Sequence, residues 1–128
     1  MTDSAVRLQK QAPTRKDAEA LYDKTVEEAK KKFDANDYLY WYESSWDYDP
    51  EPGLGKIKAP LVAVNFADDE INPSDLGIME RAMSKVRNGR FVLVPEGERT
   101  IGHQTLTLAS IWKPYLEQLL REAQRAER

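Results

Sequence analysis

The feature that most constrains the fold is an apolar run, "PLVAVNF" at residues 60–66, which ends abruptly in three acidic residues. A continuous apolar run of this length is typical of a parallel strand that is covered on both faces. A helical pattern follows, "PSDLGIMERAMSKVRNG", and then a second apolar run, "RFVLVP". A long amphipathic stretch begins near residue 102. The order strand, helix, strand, helix predicts an α/β layer with a right-handed crossover.

Capping residues predict the helix boundaries within this layer. Ser74 or Asp75 is a candidate N-cap for the first helix, and the Asn-Gly pair at 88–89 is a stop signal. Pro114 lies inside the second helix and predicts a kink near Ser110, because proline removes one backbone hydrogen bond. We expect both helices to cover the same face of the sheet. The buried face of the second helix is predicted to contain Leu108, Ile111, Trp112, Tyr115, Leu119 and Leu120.

The N-terminal third of the chain has a helical pattern. Thr14 is a candidate N-cap with Asp17 three residues later, and apolar residues then recur at helical spacing. The next segment, residues 37–48, contains six aromatic side chains. A short helix from about Asp37 to Trp46 fits this segment, since its prolines and glycines come only later.

Aromatic side chains on all sides of a short helix cannot all face one core. One interpretation is that they pack beneath a lid, and another is that they contact a substrate. Tyr40, Trp41 and Trp46 are the candidate substrate or lid residues. The change of pattern divides the chain into a helical, aromatic-rich segment at residues 1–55 and an α/β layer at residues 56–128.

Composition excludes several classes of function. The net charge of −3 gives no electrostatic reason to expect nucleic acid or an anionic membrane surface as a partner. The absence of cysteine excludes disulfides, thiolate metal sites and a cysteine nucleophile. No apolar run approaches the roughly 18 residues of a membrane span, and the first ten residues lack the apolar stretch of a signal peptide. We expect a cytoplasmic protein, although a signal peptide upstream of Met1 in a longer product stays open.

The polar residues at the ends of the two strands are the candidate site. Asp68, Asp69 and Glu70 follow the first strand, and the only histidine, His103, precedes the last helix. The carboxyl ends of parallel strands lie at one edge of a sheet, and the ligand-binding and catalytic sites of α/β proteins are commonly found at this edge. A buried Asp that accepts the Nδ1 proton of a His fixes its tautomer and stabilises the imidazolium during acyl transfer. Acid then histidine is also the order of the second and third members of an α/β-hydrolase triad.

Other roles for these residues stay open from the sequence. The acids alone are typical of a solvated loop, and a single histidine is often a packed or capping residue. A metal site is disfavoured, because adjacent acids point apart and no further ligands accompany them. We expect neither a metal nor a cofactor.

The stretches "IKAPLVAVNFADDEINPSDLG" and "GHQTLTLASIWKPYLEQLL", with the aromatic "NDYLYWYESSWDYDP", resemble the C-terminal part of α/β-hydrolase-fold proteins of the homoserine O-acetyltransferase-like family. In that family the triad Asp stands four residues before a turn proline. Here that proline is Pro73, which selects Asp69, with Asp68 as the close competitor, and the triad histidine corresponds to His103. The resemblance implies a helical cap before about Lys56, and a small-molecule acyl substrate for the whole protein.

The family pattern has a nucleophile that this sequence lacks. A serine on a strand-turn-helix elbow, typically G-x-S-x-G, is expected before the Asp, and no such motif occurs. We therefore expect a C-terminal fragment of an acyltransferase or serine hydrolase that is inactive alone. The alternative is a small α/β interaction or oligomerisation domain without catalysis. Two strands also leave unpaired edges, which predicts a homo-oligomer.

Overall fold

A computed structural model describes residues 4–126, and it combines helices with one small parallel sheet. The chain divides into two compact units. One unit is Leu8–Pro50, and the other contains residues 4–7 and 51–126. The helices are α1 (Ala5–Gln11), α2 (Arg15–Lys32), α3 (Ala35–Glu43), α4 (Ile78–Ser84) and α5 (Ala109–Ala126), and the strands are β1 (Leu61–Phe66) and β2 (Gly89–Val94).

Helix α2 begins at the predicted cap. The Thr14 hydroxyl accepts a hydrogen bond from the Asp17 amide at 3.2 Å, and the Asp17 carboxylate accepts one from the Thr14 amide at 3.2 Å. Together these bonds form the capping box, which satisfies two backbone donors at the helix start. Helix α3 is the predicted aromatic helix, but it begins at Ala35 and ends at Glu43, three residues before the predicted end at Trp46.

The two predicted strands are present and pair in parallel. Leu61 is opposite Gly89 and Phe66 is opposite Val94, with β1 and β2 in continuous register between these pairs. Within residues 4–126 this sheet has two strands. The β1 edge that does not face β2 therefore has no strand beside it in the part of the chain that the structure describes.

Helices α4 and α5 lie on opposite faces of the sheet, which corrects the prediction that they share one face. A Cβ added to Gly89 would lie 2.8 Å from the side chain of Met83 in α4. Helix α5 contacts the next residue of β2, Arg90, because the Gln118 side chain in α5 accepts a hydrogen bond from the Arg90 side chain at 3.2 Å. Successive side chains of a strand point to opposite faces, so the helices sandwich the sheet. Among the described residues, the buried apolar side chains are those of Phe66, Met83 and Val86, so this core is small.

Two predicted helix starts are wrong by several residues. Ser74 and Asp75 belong to a separate 3-10 turn, and α4 starts after Gly77, whose φ of 60° breaks the helix. The last helix is also interrupted, because a 3-10 turn at Gln104–Thr107 precedes α5.

The predicted buried face of α5 is correct only in part. Most of its residues are half-buried, whereas Leu120 is 54% exposed and was wrongly assigned to the core. Pro114 lies within α5 as predicted.

Among residues 4–126, no helix combines the length and the apolarity needed to cross a membrane.

Candidate functional site

Asp69 lies in a tight turn directly after β1. Its backbone amide donates to the Phe66 carbonyl at 3.1 Å, which closes the turn. Its side chain is only 4% exposed, and one carboxylate oxygen, Oδ1, accepts hydrogen bonds from the Ile71 amide at 2.8 Å and the Asn72 amide at 3.1 Å. The Asn72 side chain adds a longer contact of 3.4 Å to Oδ2. The loop therefore wraps around the carboxylate and fixes its position.

Asn65, a buried residue near the end of β1, holds the far side of this loop. Its side-chain amide donates to the Asn72 carbonyl at 2.8 Å, and its side-chain oxygen accepts from the Phe66 amide at 2.9 Å. A buried polar side chain is costly unless its hydrogen-bonding groups are paired, and both groups of Asn65 are paired here. Asn65 therefore anchors the acidic loop to the strand.

His103 is brought to Asp69 from 34 residues further along the chain. Its Nδ1 lies 3.1 Å from Oδ1 and 3.0 Å from Oδ2 of the Asp69 carboxylate. The preceding residue, Gly102, has a φ of 63°, a left-handed conformation that glycine adopts without the steric cost of a Cβ. The prediction that a carboxylate of Asp68 or Asp69 reaches His103, and that Asp69 is the one, is confirmed as geometry.

Asp68 has a different position. Its Oδ2 accepts a hydrogen bond from the Gly102 amide at 3.1 Å, so it links the acidic loop to the loop that carries His103. Its Oδ1 is buried and has no hydrogen-bond partner among the described residues. Asp68 therefore positions the backbone beside the histidine. Glu70, the third acid of the run, is exposed.

Thr105 belongs to the same cluster and was not predicted. Its side chain is completely buried, and its hydroxyl accepts a hydrogen bond from the Ile101 amide at 2.8 Å. Its own amide donates to the Gly102 carbonyl at 3.0 Å. These bonds on both sides of His103 fix the turn that presents the imidazole. The one sequence signal was a hydroxyl residue near the start of a predicted helix, where such residues commonly bond the backbone.

The electrostatics of the site keep Asp69 ionised. Burial raises the pKa of the Asp69 carboxyl, but the hydrogen bonds from His103, Asn72 and Ile71 lower it by more, so its pKa lies below the ordinary value. An ionised carboxylate accepts, so Nδ1 of His103 must be the donor. In the neutral imidazole the lone pair is then on Nε2.

The Nε2 atom of His103 is not engaged by any of the hydrogen bonds that the structure describes within residues 4–126. The His103 side chain is also partly exposed, at 29%. The imidazole is therefore held at one nitrogen and available at the other, which is the arrangement required of a general base.

The aromatic candidates lie in the Leu8–Pro50 unit. Tyr40, Trp41 and Trp46 are 69%, 65% and 89% exposed, respectively. Trp41 contacts the rings of Tyr38 and Tyr42, with centroids 6.1 and 5.0 Å away. Their assignment as substrate or lid residues stays a prediction.

No group of three or more potential metal ligands occurs among residues 4–126.

Comparisons of the chain with protein-family models, curated proteins and solved structures give no match.

Proposed function

We propose that this chain carries the acid and the base of a Ser-His-Asp acyl-transfer site, with an architecture like the C-terminal part of an α/β-hydrolase fold. The observation that carries the proposal is the contact between the buried, ionised Asp69 and Nδ1 of His103 at the carboxyl ends of two parallel strands. Chemistry collects at this edge in α/β proteins. The resemblance to homoserine O-acetyltransferase-like proteins supports an acyl ester as the substrate.

In the proposed mechanism, His103 activates a serine hydroxyl. As the serine Oγ attacks the acyl carbonyl carbon, its proton moves to Nε2, and Asp69 stabilises the imidazolium through Nδ1. The imidazolium then gives this proton to the leaving oxygen when the tetrahedral intermediate collapses to an acyl-serine. A water or alcohol acceptor, deprotonated by Nε2 in the same way, then attacks the acyl-serine carbonyl. As this second tetrahedral intermediate collapses, the bond to the serine Oγ breaks, the imidazolium returns the proton to Oγ, and the acyl product leaves.

A separate polypeptide segment supplies the serine in this proposal. The chain has no G-x-S-x-G elbow, the motif on which such a serine is expected. Without a nucleophile, the Asp69–His103 pair has nothing to activate. We therefore expect the 128-residue chain to hydrolyse an activated ester no faster than free imidazole does.

The test joins the chain to the polypeptide encoded directly upstream of codon 1. We expect that segment to contain a G-x-S-x-G motif, and the joined protein to react with a fluorophosphonate probe at that serine. Asp69→Asn and His103→Ala should each reduce labelling by at least 100-fold, whereas Glu70→Gln, at the exposed neighbour, should not. An upstream segment without the motif, or labelling that survives His103→Ala, would contradict the proposal.

We also propose that the chain alone self-associates through β1. The Leu61 amide donates to Asn88 at 3.1 Å and the Ala67 amide donates to Val94 at 2.9 Å, so the odd-numbered residues bond to β2. The amides of Val62 and Val64 therefore face the edge that has no strand beside it. An unpaired edge is a template for pairing with another chain.

Sedimentation velocity tests this association. We expect a dimer at micromolar concentration, and a monomer for Val64→Pro, because proline removes an edge amide without removing a bond to β2. A wild-type chain that is still a monomer at about 100 µM would contradict the proposed association. Circular dichroism should confirm that the variant keeps its helices.

A further inference from the structure

The Leu8–Pro50 unit contains a second candidate site, a groove at the junction of α2 and α3. The groove has a volume of about 330 Å³. It is lined by Lys32, Phe33, Asp34, Asp37, Tyr38 and Trp41. Three of these side chains are aromatic and two are acidic. The four residues that α3 and its cap contribute are spaced at i, i+3, i+4 and i+7, so they form one stripe along the helix.

The aromatic rings that line the groove are nearly perpendicular to their neighbours. The rings of Phe33 and Tyr38 are 5.2 Å apart and nearly perpendicular at 88°. The rings of Tyr38 and Trp41 are 6.1 Å apart at 86°. All three remain more than 40% exposed despite these contacts. Aromatic faces carry negative electrostatic potential, which attracts cations.

The charge of the groove is negative and is not neutralised by ion pairs. Among the described residues, neither Asp34 nor Asp37 forms an ion pair, and Lys32 forms none with them. Asp34 uses one oxygen, Oδ1, to cap α3 through the Asn36 amide at 2.8 Å. The C-terminus of α2 and the N-terminus of α3 meet here, and their partial charges of about −0.5 and +0.5 offset each other. Two carboxylates and one ammonium leave a net charge of −1.

We propose that this groove binds a small alkylammonium cation, of the size of choline. Its apolar methyl groups would contact the rings, and its charge would face the two carboxylates. Aromatic side chains with nearby acids suit a quaternary ammonium better than a neutral molecule, because only the cation gains from both the ring potential and the carboxylates. They also suit it better than an anion, which the carboxylates repel. This site is independent of the Asp69–His103 pair and of the acyl-transfer proposal.

The experiment titrates the full chain with choline and follows the indole N–H signals of its three tryptophans by NMR. We expect the Trp41 signal to shift saturably, with a dissociation constant on the order of millimolar, because each exposed cation–π contact is weak. The signals of Trp46 and Trp112 should stay in place. The neutral isostere 3,3-dimethylbutan-1-ol should bind at least about 5-fold more weakly.

Matched variants separate charge from shape. Asp37→Asn should weaken choline binding about 3-fold to 10-fold, while Asp47→Asn, an acid that does not line the groove, should leave it unchanged. Lys32→Gln should strengthen binding, and Lys31→Gln, which has the same charge change outside the groove, should have a smaller effect. Helix content by circular dichroism should be the same in all four variants.

Three results would overturn the proposal. The first is equal binding of choline and its neutral isostere, which would make the groove an apolar patch. The second is a shift of all three indole signals together, which would indicate unspecific binding. The third is the absence of saturation at the Trp41 signal up to about 100 mM, well above the expected constant.

Discussion

The acidic loop after β1 and the aromatic helix α3 were the two conspicuous regions of the sequence, and they differ in how their side chains are satisfied. In the loop, a buried carboxylate accepts hydrogen bonds from His103 and from two backbone amides. In the helix, the aromatic side chains are mostly exposed and contact one another. A buried charge has few acceptable environments, whereas an aromatic ring has many. The sequence therefore determines the positions of the side chains more tightly in the acidic loop than in helix α3.

The largest effect that tests this comparison is the removal of the buried carboxylate. Asp69→Ala leaves the amides of Ile71 and Asn72 and the His103 ring without their acceptor. We expect the free energy of unfolding to fall by about 3 kcal/mol, the range for lost hydrogen bonds to a charged group plus unsatisfied donors. Urea denaturation measures this change. Glu70→Ala, at the exposed neighbour, should cost less than about 0.5 kcal/mol, and equal costs at the two positions would mean that the hydrogen bonds to Asp69 do not stabilise the fold.

Acid should remove the same contribution without a mutation. The pKa of Asp69 is lower in the folded protein than in the unfolded chain, so below the unfolded value the unfolded state binds more protons. The stabilisation is therefore complete above about pH 4, near the ordinary Asp pKa of about 3.9, and it is lost as the pH falls through the lower folded pKa. The stability difference between wild type and Asp69→Asn, measured in urea from pH 7 to pH 3, should shrink at the acid end. A difference independent of pH would show that Asp69 is not held ionised by these bonds.

The parts of the fold that follow local rules could be predicted from the sequence. Thr14 with Asp17 predicted the start of α2, since a capping box depends only on residues three apart. The apolar runs predicted β1 and β2, and the parallel order placed their polar ends together. The Asp69–His103 contact follows from that order, because Asp69 lies in the turn after β1 and His103 lies in the segment between β2 and α5.

Features that depend on tertiary contacts could not be predicted. The break before α5 falls at Leu108, where no glycine or proline marks it, and the buried Thr105 belongs to the turn that precedes it. Helical spacing placed Leu120 on the buried face, but within residues 4–126 the sheet has two strands, and Leu120 is 54% exposed. The roles of Asp68 and Asp69 were distinguishable only by the resemblance, because the two acids are adjacent and their environments are set by the loop.

A smaller effect is expected for the turn that presents His103. Thr105→Val keeps the shape of the buried side chain but removes the acceptor of the Ile101 amide, which should cost about 1–2 kcal/mol. Thr107→Val is the control, because that hydroxyl bonds the Gln104 carbonyl at an exposed position. The two unfolding free energies, measured by urea denaturation, should differ by at least 1 kcal/mol, on the order of one buried hydrogen bond. Equal costs would mean that Thr105 is not a positioning residue for this turn.

The smallest effect is expected at the aromatic helix, where the comparison can be broken most directly. Trp46 is 89% exposed and Tyr40 is 69% exposed, so little apolar area is removed from water at either position. Alanine at each should change the free energy of unfolding by less than about 0.5 kcal/mol, as at most surface positions. Thr14→Ala in the same unit is the positive control, because loss of the helix cap should lower the free energy of unfolding by about 1 kcal/mol. Detecting that loss by far-UV circular dichroism in urea shows that the method is sensitive to changes in these helices. A loss above about 1 kcal/mol for Trp46→Ala would mean that its ring is buried in solution, either within the unit or against a second chain. Sedimentation velocity would then separate these cases, since only burial against a second chain depends on protein concentration.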